Sequence, residues 1–169
     1  MELFLDAEPL EGNVWDPACG TGTIPKACLA RGYEAAGSDV ADRGFGVRLD
    51  FLRSRPQVDV DNIVSNPPYK LLGPFLDRAL SIAERKVAVI VGAKFVYSQG
   101  RYPFFLDRPP TRIYYHSFRP SMPPGEAYMA GKMKAEGGST DYCWLVWDQA
   151  HAGPTTCHWL GDHPDRLKG

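Results

Sequence analysis

The run Val14-Trp15-Asp16-Pro17-Ala18-Cys19-Gly20-Thr21-Gly22 moves from two apolar residues through an acid to a pair of glycines, and the helical pattern Ile24 to Ala30 follows at once. That order predicts a first strand, a tight turn and a first helix. Glycines at 20 and 22 would let the backbone come close to a ligand where a β-carbon would block it. A second run, Ser65-Asn66-Pro67-Pro68-Tyr69, stands 44 positions further on, counted from Gly22 to Asn66. It follows Val58, Val60, Ile63 and Val64, a short buried-strand pattern, and its prolines keep a helix from starting before Lys70. The second run thereby falls at the carboxyl end of a strand, where open α/β sheets place their ligands.

Around these two anchors the rest of the chain reads as alternating strands and helices. Residues 1–12 hold an abbreviated amphipathic piece. Arg31-Gly32 stops the first helix, and Tyr33 to Gly37 reads as the second strand. Asp39 then lies 23 residues after Asp16, close to where dinucleotide folds put an acid on the ribose hydroxyls. Val40 to Phe51, broken by Gly44 and Gly46, reads as a loop with a helical turn leading to Asp50-Phe51. Leu72, Phe75, Leu76, Ala79, Leu80 and Ala83 trace one apolar helix face, and Val87 to Val91 is a buried parallel strand. Phe95 to Leu106 is expected to be a helix weakened by Gly100 and Pro103. Ile113 to Phe118 and Tyr142 to Trp147 read as the last two strands, and the stretch after Ala152 as a polar tail.

Composition narrows the class. The chain has 169 residues, 44% of them hydrophobic, which suffices for one well-buried core and not for two ordinary domains. One domain over 1–169 is therefore expected. A net charge of -1 excludes a globally basic nucleic-acid binder, but the charge is unevenly spread. Residues 1–50 carry nine acids against four bases, a net of -5; residues 101–134 carry six bases against two acids, a net of +4. A basic stripe of this kind suits a phosphate backbone lying across one face, and equally a solvated surface. Cys19, Cys28, Cys143 and Cys157 show no Cys-x-x-Cys spacing, so free thiols in a reducing compartment are expected. His151, Cys157, His158 and His163 match no zinc module, and no metal is expected. No stretch is apolar enough for a membrane span, and no leader is expected; the localisation read from this is cytoplasmic.

The two runs together resemble the S-adenosyl-L-methionine-dependent amino-methyltransferases, most closely the adenine-specific DNA methyltransferases, including small phage and prophage members. Thr140-Asp141-Tyr142-Cys143-Trp144-Leu145-Val146-Trp147 also looks like those small enzymes. The Asn-Pro-Pro-Tyr run is the specific element; a glycine-rich turn serves many nucleotide binders. The resemblance implies a Rossmann-like class I methyltransferase fold, α/β, with a mostly parallel sheet of seven strands or slightly fewer and helices on both faces. It implies a cofactor site of Asp16, Pro17, Ala18, Gly20 and Gly22 on the amino-acid and ribose part, Asp39 on the ribose hydroxyls, Asp50 and Phe51 at the adenine, and Asn66 near the methyl group. It makes Asn66, Pro67, Pro68 and Tyr69 the catalytic turn, with the Asn66 side-chain oxygen and the Pro67 carbonyl as the two acceptors and Tyr69 stacking on the target base.

A base inside a duplex cannot reach such a turn without being flipped. Phe118 is the candidate second wall for the flipped ring, with Tyr115 and Phe95 behind it, although plain core is the commoner role for such aromatics. Arg101, Arg119, Lys132 and Lys134 are candidates for phosphate contacts or solvated surface alike. The Pro- and Gly-rich stretch 119–139 is expected to be a substrate-facing loop standing in for a separate target-recognition domain. The expected partner is nucleic acid, with DNA first; a base amine in RNA and a protein glutamine amide are alternative acceptors. A homodimer, or a cofactor-binding partner subunit without turnover of its own, stays open.

Overall fold

The computed structural model describes residues 1–56, 59–97, 99–120 and 140–161. Eight strands form one sheet: β1 (Val14–Asp16), β2 (Ala35–Asp39), β3 (Val47–Arg48), β4 (Asn62–Ser65), β5 (Lys86–Gly92), β6 (Arg112–His116), β7 (Tyr142–Asp148) and β8 (Thr156–Leu160). Their spatial order is β3-β2-β1-β4-β5-β7-β6-β8. Among the described residues seven strands run parallel and β7 is antiparallel, inserted between β5 and β6. The helices α1 (Glu2–Ala7), α2 (Thr23–Ala30), α3 (Leu72–Ile82) and α4 (Tyr102–Asp107) cover both faces. This is the Rossmann-like class I methyltransferase fold the sequence implies, with one strand more than seven.

The period-two rule of strands builds the two layers of the core. On β5, Val87, Val89 and Val91 point to the face covered by Leu72, Phe75, Leu76 and Ala79 of α3, while Ala88 and Ile90 point to the face covered by Phe4 and Leu5 of α1 and Ile24 and Cys28 of α2. On β7, Cys143, Leu145 and Trp147 take the first face and Trp144 and Val146 the second. Both strands are buried on both sides, which is why their sequence shows apolar runs.

Helix α1 matters because it brings Met1 and Leu3 to the cleft described below. Its anchor is Glu8, 2 % exposed, whose carboxylate accepts hydrogen bonds from Lys86 Nζ (2.6 Å), Arg112 Nε (2.6 Å) and the Tyr114 hydroxyl (2.8 Å). Burial alone would raise the Glu8 pKa; the bonds from Arg112, Lys86 and Tyr114 outweigh it and hold the carboxyl below its usual range.

Four boundaries differ from the sequence expectation. The second strand starts at Ala35 because Arg31-Gly32-Tyr33 is consumed by the helix cap, where Gly32 (φ +83) and Tyr33 donate to Leu29 O and Cys28 O in a Schellman arrangement. The loop after Val40 contains β3, a two-residue edge strand pairing Ser38 with Val47 and Asp39 with Arg48. The 95–106 stretch is two short 3-10 turns followed by α4, and Pro103 sits in that helix's first turn, where its missing N–H costs nothing. The polar tail holds β8, an edge strand along β6 with four of its five residues exposed. Among the described residues, no helix is long and apolar enough to cross a membrane.

Candidate active site

A cleft of about 1280 Å³ opens at the carboxyl ends of β1, β2 and β4. Asp16 ends β1, and its side chain is sealed in the floor. Its Oδ1 accepts the Ser65 hydroxyl (2.7 Å) and the Ala18 N–H (3.1 Å). Burial pushes the Asp16 pKa up to about 7, helped by the nearby charge of Asp39 and opposed by the Ser65 and Ala18 bonds. Asp39 ends β2 and reaches across: its Oδ2 accepts the Gly20 N–H (2.9 Å) and its Oδ1 the Ala41 N–H (3.0 Å). A carboxylate has room for about four such bonds, so Asp39 orders the glycine turn and keeps acceptor capacity for a ligand.

The two glycines have different reasons. Gly20, at φ +55, has nothing within 4 Å of where a β-carbon would stand, so its backbone faces open cleft. Gly22, at φ +82, does not line the cleft: a β-carbon there would overlap the Phe45 ring, which fills the space beneath the turn. The ligand-approach reading therefore fits Gly20, and a packing reason fits Gly22. Phe45 carries Lys26 over its ring at 5.2 Å, an addition that a loop reading of 40–51 could not supply.

Asp50 and Phe51 line the wall next to the turn. Asp50 Oδ1 accepts the Leu52 N–H (3.0 Å). The Phe51 ring is 5 % exposed, held between Trp15 (5.4 Å) and Phe75 (4.7 Å).

The Asn66-Pro67-Pro68-Tyr69 turn leaves β4 on the other side of the same cleft. Pro68 is extended (φ -64, ψ 121) and ends in a 3-10 turn, Tyr69–Leu71, closed by Leu71 N–H to Pro68 O (2.9 Å). Asn66 is exposed to the cleft and Pro67 is buried beneath it. The Tyr69 ring is half exposed while its hydroxyl end is recessed beside Tyr142, and burial together with Tyr142 raises its pKa. Phe118, 47 % exposed, faces the cleft from just beyond β6.

The structure thus gathers Asp16, Pro17, Ala18, Gly20, Asp39, Asp50, Phe51, Asn66, Pro67, Pro68, Tyr69 and Phe118 in one cavity wall. It does not bring Arg101 or Arg119 there. Arg101 lies over the Phe95 ring at 4.1 Å, and exposed Arg119 pairs with Asp141 at 2.8 Å. Lys132, Lys134 and loop residues 121–139 lie outside the described residues. Sequence reasoning missed Ser65, Arg43, Tyr142, Trp144 and His116, all of them except Ser65 lining the cleft. Alternation along β7 could have found Tyr142 and Trp144, which share a face; a single histidine in an aromatic strand carries no pattern to read. A second cavity of about 470 Å³, around Asp77, Arg108 and Trp147, shares no residue with the cleft.

The lining fits S-adenosylmethionine and an acceptor together. Ligand sites usually occupy about 300–1,000 Å³, and here open space over Gly20 adjoins two carboxylates suited to ribose hydroxyls and to a cationic cofactor. No protein-family model and no curated protein matches the chain. Solved structures of similar fold do. A TehB-like SAM-dependent methyltransferase from Corynebacterium glutamicum superposes with a TM-score of 0.52 at 15% identity, covering 86% of this chain and 84% of that one. The 23S rRNA methyltransferase ErmE gives 0.59 at 13%, covering 88% and 66%. The 1,6-didemethyltoxoflavin-N1-methyltransferase of Burkholderia thailandensis, crystallised with S-adenosylhomocysteine, gives 0.57 at 10%, covering 89% and 76%. At these identities the likeness is one of fold: the chain is built as S-adenosylmethionine-dependent methyltransferases are built.

Proposed function

We propose that this chain binds S-adenosylmethionine and transfers its methyl group to the exocyclic amino nitrogen of adenine in DNA. The observation that carries this reading is the Asn66-Pro67-Pro68-Tyr69 turn at the carboxyl end of β4, opening into the same cleft as Gly20, Asp16 and Asp39. The cofactor supplies an electrophilic methyl group on a sulfonium that leaves readily.

The protein's part is positioning. An amino group conjugated to a heteroaromatic ring is a poor nucleophile because its lone pair is delocalised. The Asn66 side-chain oxygen and the Pro67 carbonyl accept its two hydrogens, pull the nitrogen toward tetrahedral geometry and leave the lone pair directed at the methyl group. The bound cofactor would give up its methyl group to that lone pair with the electrons of the broken bond staying on sulfur, and the methylated nitrogen would release its proton to water. Tyr69 stacks on the base and Phe118 closes the opposite side. Asp39 accepts from the ribose hydroxyls while ordering Gly20, and Asp50 accepts from the cofactor's adenine amine beside Phe51.

The Pro- and Gly-rich sequence 119–139 is assigned to substrate recognition on its composition alone, and the reaction takes place in the cytoplasm of a bacterial or phage-infected cell. A base amine in RNA is the second reading, favoured by the fold likeness to ErmE, whose own substrate is 23S rRNA. Incubation with methyl-tritiated S-adenosylmethionine and DNA, RNA or protein separates these acceptors. Label in N6-methyladenine from DNA is the expected product; label confined to RNA or protein overturns the DNA reading, and cofactor binding with no transfer to any of the three supports a partner subunit instead.

A further inference from the structure

Among the described residues, two buried polar groups in the acceptor half of the cleft have no hydrogen-bond partner. The Trp144 indole N–H is unpaired in a side chain only 2 % exposed, and both ring nitrogens of His116 are likewise unpaired and shielded from solvent. Both residues line the cleft. Buried donors without acceptors are rare because each forfeits its hydration with nothing in return. Neither group holds the fold through a polar contact, so the polarity at these positions has no structural explanation.

Their placement is specific. The antiparallel register pairs Tyr114 with Trp144 and Tyr115 with Cys143, which sets His116 beside Tyr142 on the same face of the sheet as Trp144. Tyr142 in turn stands against the Tyr69 hydroxyl. The sequence of neighbours therefore runs from the Asn-Pro-Pro-Tyr turn through Tyr142 to His116. Phe118 stands edge-on to the His116 ring at 5.3 Å, and as a half-exposed side chain it can turn aside on the timescale of ordinary rotamer changes.

We propose that His116 and Trp144 form a polar edge that reads a ring nitrogen next to the amino group of the acceptor base. This rests on the amino-methyltransferase reading above and narrows its substrate. An indole N–H only donates, and a neutral imidazole donates through one nitrogen and accepts through the other. Burial, with the N-terminal ammonium nearby, lowers the His116 pKa to about 4, so the ring is neutral at working pH. Two donors ask for unprotonated ring nitrogens, which adenine offers at N1 on its Watson–Crick edge and at N7 in the major-groove pattern. Guanine presents a protonated N1 beside its amino group, and the Trp144 indole N–H, which cannot accept, meets it with a clash of hydrogens. His116 and Trp144 are thus specificity-determining contacts, while Asn66 and Pro67 act on the reacting nitrogen.

The test titrates adenosine, 1-deazaadenosine and 7-deazaadenosine onto the full chain saturated with S-adenosylhomocysteine, following the His116 imidazole and Trp144 indole signals by NMR. Adenosine should shift both signals. At least one deaza analogue should bind the unaltered protein about three- to tenfold more weakly, the worth of one neutral hydrogen bond. That loss should vanish in His116→Ala or Trp144→Phe, and His116→Gln, which keeps a donor and an acceptor, should retain most of it. Circular dichroism confirms that each variant is folded. Equal binding of all three nucleosides to the unaltered protein, or an equal deaza loss in every variant, overturns the inference. If tritium nonetheless enters adenine, the function stands without it; if tritium enters an acceptor other than a base, both fall.

Discussion

The two halves of the cleft are built differently. On the glycine-turn side both carboxylates already have partners: Asp16 holds Ser65 and Ala18, and Asp39 holds Gly20 and Ala41. On the side of the Asn-Pro-Pro-Tyr turn, Asn66 is exposed, Tyr69 and Phe118 are half exposed, and His116 and Trp144 hold unpaired polar atoms. The first half is ordered before any ligand arrives, as suits a small cofactor that is met again at each turnover. On the proposed function the second half would acquire its hydrogen bonds and its stacking partners from the substrate, as suits a pocket that receives a base held by a polymer. Preorganisation lowers the cost of binding on the first side, and dependence on the substrate confers discrimination on the second.

Ionisation of Asp16 is the largest lever on this contrast. Its folded pKa, about 7, lies above its ordinary value of 3.8. The folded protein therefore holds that proton more tightly than the unfolded chain. The resulting stability is complete below about pH 3.8 and is lost as pH rises through about 7, on the order of 4 kcal/mol in all. A cationic cofactor favours the ionised carboxylate, so its affinity should rise over the same interval. Thermal denaturation from pH 5 to 8, with and without S-adenosylmethionine, checks both signs; Asp16→Asn should flatten the two slopes.

Asp39→Ala comes next. It removes a charge-assisted acceptor worth about 1.5–3 kcal/mol and releases the Gly20 N–H, so calorimetry should show cofactor affinity lowered by roughly ten- to a hundredfold. The smallest effect distinguishes the two glycines. Both lie in the left-handed region, where a β-carbon costs about 1–2 kcal/mol. Gly22→Ala also collides with Phe45 and should lose more stability in urea denaturation, whereas Gly20→Ala should lose less stability and more cofactor affinity, because only its space is open to the ligand.

What could be read from the sequence follows burial. Val87 to Val91 and Tyr142 to Trp147 were legible because strands buried on both faces show as apolar runs, and the amphipathic spacing from Leu72 to Ala83 exposed α3. Strands β3 and β8 were not, since exposed edge residues follow no hydrophobic pattern. Asp16 and Asn66 were placed correctly relative to strand ends because Pro17 and Pro67 follow them, whereas Asp39 closes a strand whose reading ended at Gly37. The stop at Gly32 was legible while the strand start after it was not, because the cap uses Tyr33 through its backbone. His116 escaped because its meaning lies in missing hydrogen bonds, which only coordinates reveal.

The most direct measurement loads the unaltered protein and Asn66→Ala with methyl-tritiated S-adenosylmethionine, mixes each with DNA in a single turnover, and follows both retained cofactor and label in N6-methyladenine. The proposed function sets Asn66 against the acceptor, so the variant should keep its cofactor to within a few-fold and transfer its methyl group on the order of 10²–10³ times more slowly, the usual effect of deleting one preorganised catalytic hydrogen bond. Transfer at nearly the unaltered rate by Asn66→Ala would contradict the assignment of this turn as the site of chemistry.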